Sequence, residues 1–226
     1  MTAVPAAPVP RQLVLALDHA ESFAREDFLS GSCNAAALAQ IERWPDWSAQ
    51  ALAVVGPEGS GKSHLAGIWA ANAGARFLAA RALAPTLVPT ALATGAVVIE
   101  NLGPGEFDER ALFHLLNLAR EERAFVLLTA RSAPAGWPIG LADLASRLKA
   151  LPVAMLTAPD EALLRAVLVK LFADRQLVVD ESLVGYLAKR IERSLAAARS
   201  VVAVLDQEAM RQKRPLTRAL AAEILR

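Results

Sequence analysis

Short runs of apolar residues alternate along the chain with longer stretches in which apolar positions recur at helical spacing. The runs at 51–55, 97–99 and 125–128 are uniformly apolar and end in glycine or polar residues, as strands buried on both faces do. The stretches 62–73 and 107–120 between them have the period of amphipathic helices. Because strands and helices alternate, the pattern predicts an α/β fold whose parallel sheet is flanked by helices.

The pattern changes after Pro159, where strand-like runs cease and helical spacing continues. Helices are predicted over 160–173, over 180–190 and after Arg193 to about residue 212, and Thr217 is a candidate cap for a last short helix. The carboxyl-terminal part is therefore predicted to be a small all-helical domain.

Three segments follow from these patterns. Residues 1–20 contain a proline-rich, uncharged start and are expected to form a flexible tail. Residues 21–157 form the α/β domain and residues 158–226 the helical domain. No internal repeat is visible.

Composition narrows the class of protein. The chain has 226 residues, 54% of them hydrophobic, which excludes a disordered polymer. A single cysteine, Cys33, excludes a disulfide framework and favours a cytoplasmic protein. The longest uncharged run, between Arg81 and Glu100, contains prolines and a glycine, so no membrane helix is expected.

Charge is balanced overall but unevenly distributed. The net charge of +1 argues against a protein that coats nucleic acid, yet residues 189–226 carry nine basic and four acidic residues. This basic end could contact DNA, or it could face nucleotide phosphates and an acidic partner. Without a recognition helix the second interpretation is favoured, so that direct DNA contact is expected to be weak or indirect.

The sequence GPEGSGKS, from Gly56 to Ser63, matches the phosphate-loop pattern and lies between a predicted strand and a predicted helix. In such a loop backbone N–H groups point at phosphate oxygens, while Lys62 reaches the β- and γ-phosphates and Ser63 binds Mg²⁺. ADP or ATP with Mg²⁺ is therefore the predicted ligand. The candidate contacts from this loop are Gly56, Gly59, Ser60, Gly61, Lys62, Ser63 and His64.

The strand at 97–99 ends in Glu100 and Asn101. Glu100 is predicted to hold Mg²⁺ through water, beside Ser63. Asn101 stands where hydrolases of this class usually have a second carboxylate, and an amide cannot accept a proton. We therefore expect weak intrinsic hydrolysis; the alternative is that Glu100 and Asn101 only end the strand.

Several motifs, in order, resemble the AAA+ ATPase module of the bacterial replication initiator DnaA. FLSGSCNAAAL resembles the segment that packs round the adenine, and GPEGSGKSHL resembles Walker A. VVIEN stands at Walker B, VLLTARSAP at sensor 1, LADLASRL at the arginine-finger box and IERSLAAAR at the sensor 2 helix. The resemblance covers roughly residues 21–212 and implies a P-loop AAA+ module with a small helical lid.

The resemblance also implies roles for single residues. Arg147 would be an arginine finger that acts in trans on a nucleotide bound to a neighbouring subunit. Thr129 is the sensor 1 candidate, because Arg131 stands where the initiator has an acidic residue. Arg193 would contact the nucleotide from the lid, with Arg199 as the fallback.

The chain stops where the DNA-binding domain of the initiator would begin, and in this it resembles the Hda type of DnaA-related AAA+ regulators, in its alphaproteobacterial form. That type carries a clamp-binding peptide near its N-terminus, and Gln12, Leu13, Leu15 and Leu17 match it. The resemblance implies that the chain works with the DNA-loaded sliding clamp (the β subunit of DNA polymerase III) to promote hydrolysis of ATP bound to DnaA. It would thereby restrain initiation of replication.

Two other functions remain open from the sequence. The chain could be a self-contained AAA+ ATPase, such as a loader or remodelling component. It could also be an origin-binding protein that uses its basic end. Neither its state of self-association nor the choice between ADP and ATP follows from the sequence.

Overall fold

The structure, a computed structural model, describes residues 23–225. The predicted tail and its peptide, from Gln12 to Leu17, lie outside these residues. The described chain contains one parallel sheet with the strand order β2-β3-β4-β1-β5. The strands are β1 (Ala51–Val55), β2 (Arg76–Ala79), β3 (Ala96–Leu102), β4 (Phe125–Ala130) and β5 (Val153–Met155).

Helices follow most strands and cover both faces of the sheet. Those of the α/β part are α1 (Ala35–Glu42), α2 (Lys62–Ala73), α3 (Val88–Ala91), α4 (Glu109–Glu121) and α5 (Ala142–Ala150). Those after the last strand are α6 (Glu161–Asp174), α7 (Glu181–Arg190), α8 (Leu195–Gln212) and α9 (Arg218–Ile224).

Strand β1 shows how the sheet builds two cores. All five of its residues are buried, and successive side chains point to opposite faces. Ala51, Ala53 and Val55 pack with α4 and α5, whereas Leu52 and Val54 pack with α1 and α2. The uniformly apolar run in the sequence is the signature of this burial on both sides.

The helices after residue 160 form a third core of their own. Leu168 and Phe172 of α6 are fully buried there with residues of the other three helices. Each helix begins at a polar residue whose side chain accepts a hydrogen bond from a backbone N–H of the first turn. These caps are Asp160, Asp180, Ser194 and Thr217.

The predicted α/β fold and its parallel sheet are confirmed. The expected run at 51–55 and the expected helix at 62–73 have the predicted bounds. Strands β2 and β5 were not predicted from the sequence. β2 is a four-residue edge strand whose Phe77 is exposed, and β5 has three residues, so neither shows the buried apolar run that marks β1.

None of the helices within residues 23–225 has the length and apolar character needed to cross a bilayer.

Adjacent residues of α6 test the importance of the third core. We expect Leu168→Ala to lower the free energy of unfolding by about 2–5 kcal/mol, because it leaves a cavity where the side chain is fully buried. The matched change Val169→Ala, at a side chain that is 52% exposed, should change it by less than about 0.5 kcal/mol. Denaturant unfolding measures both; equal effects would contradict a packed core around Leu168.

Candidate functional site

The phosphate loop begins where three parallel strands end. The backbone N–H of Gly56 donates to the carbonyl oxygen of Ala130, at the end of β4, over 3.1 Å. A Cβ atom on Gly56 would lie 2.7 Å from the carbonyl oxygen of Leu156, which follows β5. No side chain fits at this position, so the glycine lets the loop leave the sheet edge without displacing its neighbours.

The loop then curls through left-handed backbone conformations. Gly59 has a φ of +69°, and Gly61, which precedes α2, has a φ of +100°. Residues with side chains adopt such angles at a cost that glycine avoids. The turn brings Lys62 and Ser63 into the first turn of α2, whose N–H groups favour an anion.

Lys62 is folded back over the loop. Its Nζ donates to the carbonyl oxygens of Gly56, over 2.9 Å, and of Pro57, over 2.7 Å. Burial lowers the pKa of its ammonium group, and the nearby positive charge of Arg131 lowers it further. Arg131 itself pairs with Glu58 over 2.8 Å at the exposed rim of the loop. The ammonium is thus held among carbonyl oxygens in a place where phosphate oxygens could accept from it.

The Ser60 hydroxyl is an orphaned polar group beneath the loop. The residue is 2% exposed, and its Oγ has no hydrogen-bond partner in the described structure. A buried hydroxyl without a partner costs free energy unless a ligand or water supplies one. Together with the glycine geometry and Lys62, this fits a loop shaped for phosphate oxygens.

The predicted magnesium-side residues lie at the same edge of the sheet. Glu100 is half-buried within β3, and Ser63 is exposed at the start of α2. A carboxylate and a hydroxyl are oxygen donors suited to Mg²⁺, which usually completes its shell with water and substrate phosphates. Within residues 23–225 no group of three or more His, Cys, Asp or Glu side chains forms a metal cage.

Asn101 lies in a distortion of β3, where the register with β4 shifts between Ile99 and Leu102. Its φ of 56° is left-handed, a region that asparagine tolerates better than most residues. Its backbone N–H donates to the Thr129 Oγ1 atom over 3.0 Å, and Thr129 is 1% exposed. The proposed sensor 1 threonine therefore joins the ends of β3 and β4.

The helices α6 to α9, which we call the lid, contact the phosphate loop through the start of α8. The N–H of Leu195 donates to the carbonyl oxygen of Gly59 over 2.8 Å. A Cβ on Gly59 would lie 2.9 Å from the Cβ of Ala196, so these two residues are in close contact. Arg193 is exposed and immediately precedes Ser194, which caps α8, while Arg199 is half-buried one turn further on. The sequence offered no sign that Ala196 contacts the loop.

The described N-terminal segment, which precedes α1, packs on α2 beside the loop. His64 Nε2 lies 3.0 Å from the carbonyl oxygen of Ala24, and because a carbonyl only accepts, Nε2 carries the proton. The rings of Phe23 and Phe28 meet the imidazole edge-on. His64 thus anchors this segment by packing and by this hydrogen bond, and its predicted contact with the nucleotide stays a prediction.

The same segment also contacts the lid. Ser32 Oγ donates to Asp160 over 2.9 Å, and Lys170 pairs with Asp27 over 2.7 Å. Hydrogen bonds from the Leu163 backbone N–H and from Ser32 lower the pKa of the Asp160 carboxyl. The segment that resembles the adenine-binding box therefore lies between the α/β part and the lid, next to the phosphate loop.

Arg147 lies on α5, away from the phosphate loop in sequence. It is half-buried, and its guanidinium carbon lies 5.1 Å from the centroid of the Phe113 ring on α4. Glu109, one turn earlier on α4, accepts hydrogen bonds from the backbone N–H groups of Gly140, over 3.0 Å, and Leu141, over 2.8 Å. Sequence reasoning missed both α4 residues, because their partners are about thirty residues away in the chain.

Solved structures share this architecture. Domain III of the Thermotoga maritima replication initiation protein DnaA is similar with a TM-score of 0.74 and 18% identity, over 90% of this chain and 95% of that one. The chain has the fold of a P-loop AAA+ module.

Other solved structures match over less of their own length. The AMPPCP-bound DnaA of Aquifex aeolicus has a TM-score of 0.67 and 13% identity, over 82% of this chain and 65% of that one. The Thermotoga maritima RuvB Holliday junction branch migration motor has a TM-score of 0.66 and 16% identity, over 83% and 64%. No protein-family model and no curated protein sequence matches the chain.

Removal of the Lys62 amine tests the phosphate loop of this AAA+ fold. We expect Lys62→Ala to weaken binding of a fluorescent ADP analogue by about ten- to a hundredfold, the range for loss of a hydrogen bond to a charged group. Lys149→Ala, at an exposed lysine of α5, is the matched control and should bind as the unmodified protein does. Unchanged binding by Lys62→Ala, with the fold intact by circular dichroism, would contradict this site.

Proposed function

We propose that this chain is an Hda-type AAA+ regulator of replication initiation. It binds ADP or ATP with Mg²⁺ at its phosphate loop, docks on the DNA-loaded sliding clamp through residues 12–17, and presents Arg147 to ATP bound on DnaA. Hydrolysis then takes place on DnaA, and the chain's own nucleotide acts as a structural switch.

The environment of Arg147 is the observation that carries this proposal. Among the described residues no carboxylate lies within 4 Å of its guanidinium, which rests against the ring of Phe113 instead. An aromatic ring holds the planar guanidinium in place without neutralising its charge. Such an arginine remains available to a phosphate group of another subunit, where it can offset the charge of the transition state.

Helix α4 supports Arg147 at two points. Phe113 contacts the guanidinium, and Glu109 holds the two N–H groups that precede α5. The buried Leu144 and Leu148 of α5 fix that helix on the core. A finger that acts across an interface must be held in advance, because each free rotation lost on binding weakens the contact. These supports favour a preorganised finger over a free surface arginine.

The chemistry next to the chain's own phosphate loop favours weak turnover. Glu100 is the one carboxylate of the Glu100–Asn101 pair, and the Asn101 side chain is exposed and cannot take a proton from water. A chain that holds nucleotide without rapid hydrolysis suits a switch better than a motor.

Loss of the finger should separate binding from stimulation. We expect Arg147→Ala to bind nucleotide normally but to lower the DnaA hydrolysis that the chain stimulates by about 10³-fold or more, the usual contribution of an arginine finger. The measurement is ATP hydrolysis with DnaA, clamp and DNA present together and singly. Lys149→Ala on the same helix is the control.

Two results of that assay would contradict the proposal. Full stimulation by Arg147→Ala would show that another residue acts on DnaA. Brisk hydrolysis by the chain alone would instead favour a self-contained ATPase.

The tail makes a separate prediction. We expect Gln12→Ala combined with Leu13→Ala to weaken capture of the chain by immobilised clamp about tenfold or more, because a leucine and an amide leave the docking groove. Val4→Ala, in the same tail but outside the peptide, should bind normally. Nucleotide binding should be unchanged in both, and undiminished clamp capture by the double variant would refute the tail assignment.

A further inference from the structure

An open groove of about 580 Å³ lies on the lid, and all of its lining comes from helices α6, α7 and α9. We call it the basic groove. Four of its lining residues are cationic: Arg165 of α6, Lys189 and Arg190 of α7, and Arg218 of α9. Neither the phosphate loop nor Arg147 contributes to it, so the nucleotide site does not account for this concentration of positive charge.

Tyr186 holds two of the cations in place. The guanidinium carbon of Arg190 lies 4.9 Å from the centroid of the Tyr186 ring, and that of Arg218 lies 5.4 Å from it. The negative face of the ring attracts each guanidinium, although the two like charges repel each other. The arrangement also fixes the direction of both planar guanidiniums, so that their N–H donors are positioned before any ligand arrives.

Most of this charge is uncompensated. Arg165 is paired with Glu181 and Glu161, at 3.3 and 3.7 Å. By contrast, among the described residues Lys189, Arg190 and Arg218 have no carboxylate within 4 Å. A groove with three such cations creates a positive potential that attracts a polyanion.

The lining indicates which polyanion fits. It contains no aliphatic side chain, and its one ring, that of Tyr186, already contacts two arginines. Protein partners normally bury an apolar core with aromatic or aliphatic anchors, and this groove offers no pocket for one. Interfaces with DNA are polar and strongly positive, and arginine forks match phosphate oxygens.

We propose that the basic groove binds the phosphodiester backbone of duplex DNA without reading its sequence. Lys189, Arg190 and Arg218 donate to phosphate oxygens, and Tyr186 orients the two arginines. The proposal stands on the lid alone and does not depend on the function of the nucleotide site. Only part of the basic carboxyl-terminal end would then contact DNA. Arg211 and Arg214 lie outside the groove and are paired with Glu208 and Glu223.

The test is fluorescence anisotropy of a labelled duplex titrated with the full chain over a salt series. Each lost phosphate contact should reduce the slope of log affinity against log salt by about 0.9. We expect Lys189→Gln combined with Arg190→Gln to reduce the slope by about twice that amount. The double variant Arg211→Gln, Arg214→Gln removes the same charge from the same end of the chain and should leave the slope almost unchanged. Both must retain the thermal midpoint and nucleotide binding of the unmodified protein.

A ring variant tests the role of Tyr186. Tyr186→Leu keeps every charge but removes the ring, so it should weaken duplex binding, whereas Tyr186→Phe should restore it. Binding unaffected by Tyr186→Leu would overturn the orienting role.

Four outcomes would overturn the proposal as a whole. The first two are no duplex binding at low salt and an equal loss of salt slope in the two charge variants. The others are competition by polyglutamate of matched charge that is as strong as competition by unlabelled duplex, and tighter binding to a single strand or to one base sequence. Competition by unlabelled duplexes of unrelated sequence, with a single strand of equal length competing less well, is the expected result because the duplex has the higher charge density.

Discussion

The phosphate loop depends on one crowded point at the edge of the sheet. Parallel strands carry their carboxyl ends to the same edge, and here β1 ends between β4 and β5. Gly56 leaves β1 with its N–H bound to Ala130 and with Leu156 too close to admit a side chain. The loop therefore starts from a fixed position. This position places the loop carbonyl oxygens that accept hydrogen bonds from Lys62 and from Leu195 of the lid.

Some elements and contacts of the fold and the site could be predicted from the sequence, and others could not. β1 and the loop were predictable because burial on both faces and a fixed local spacing leave direct marks in the sequence. Phe77, exposed on an edge strand, leaves no such mark. Ala196 and Glu109 act through partners distant in the chain, and no local pattern identifies an alanine that packs on a loop or a glutamate that holds two amides.

Several arginine side chains of the described residues are held in one of two ways. Arg131 and Arg214 are paired with carboxylates at the surface, where such pairs contribute little to stability. Arg147, Arg190 and Arg218 rest on aromatic rings instead, which orient the guanidinium and leave its charge intact. The second arrangement suits groups that must act on an anion outside the chain, and it occurs at Arg147 and in the basic groove, for both of which we propose a phosphate-bearing partner.

The hydrogen bond between His64 and Ala24 has a consequence for the reach of the tail. His64 directly follows Ser63, so this hydrogen bond holds Ala24 beside the phosphate loop. Ala24 lies seven positions after Leu17, and an extended chain spans at most about 25 Å over that length. A partner that bound residues 12–17 would therefore contact Leu17 within about 25 Å of Ala24, which lies beside the phosphate loop.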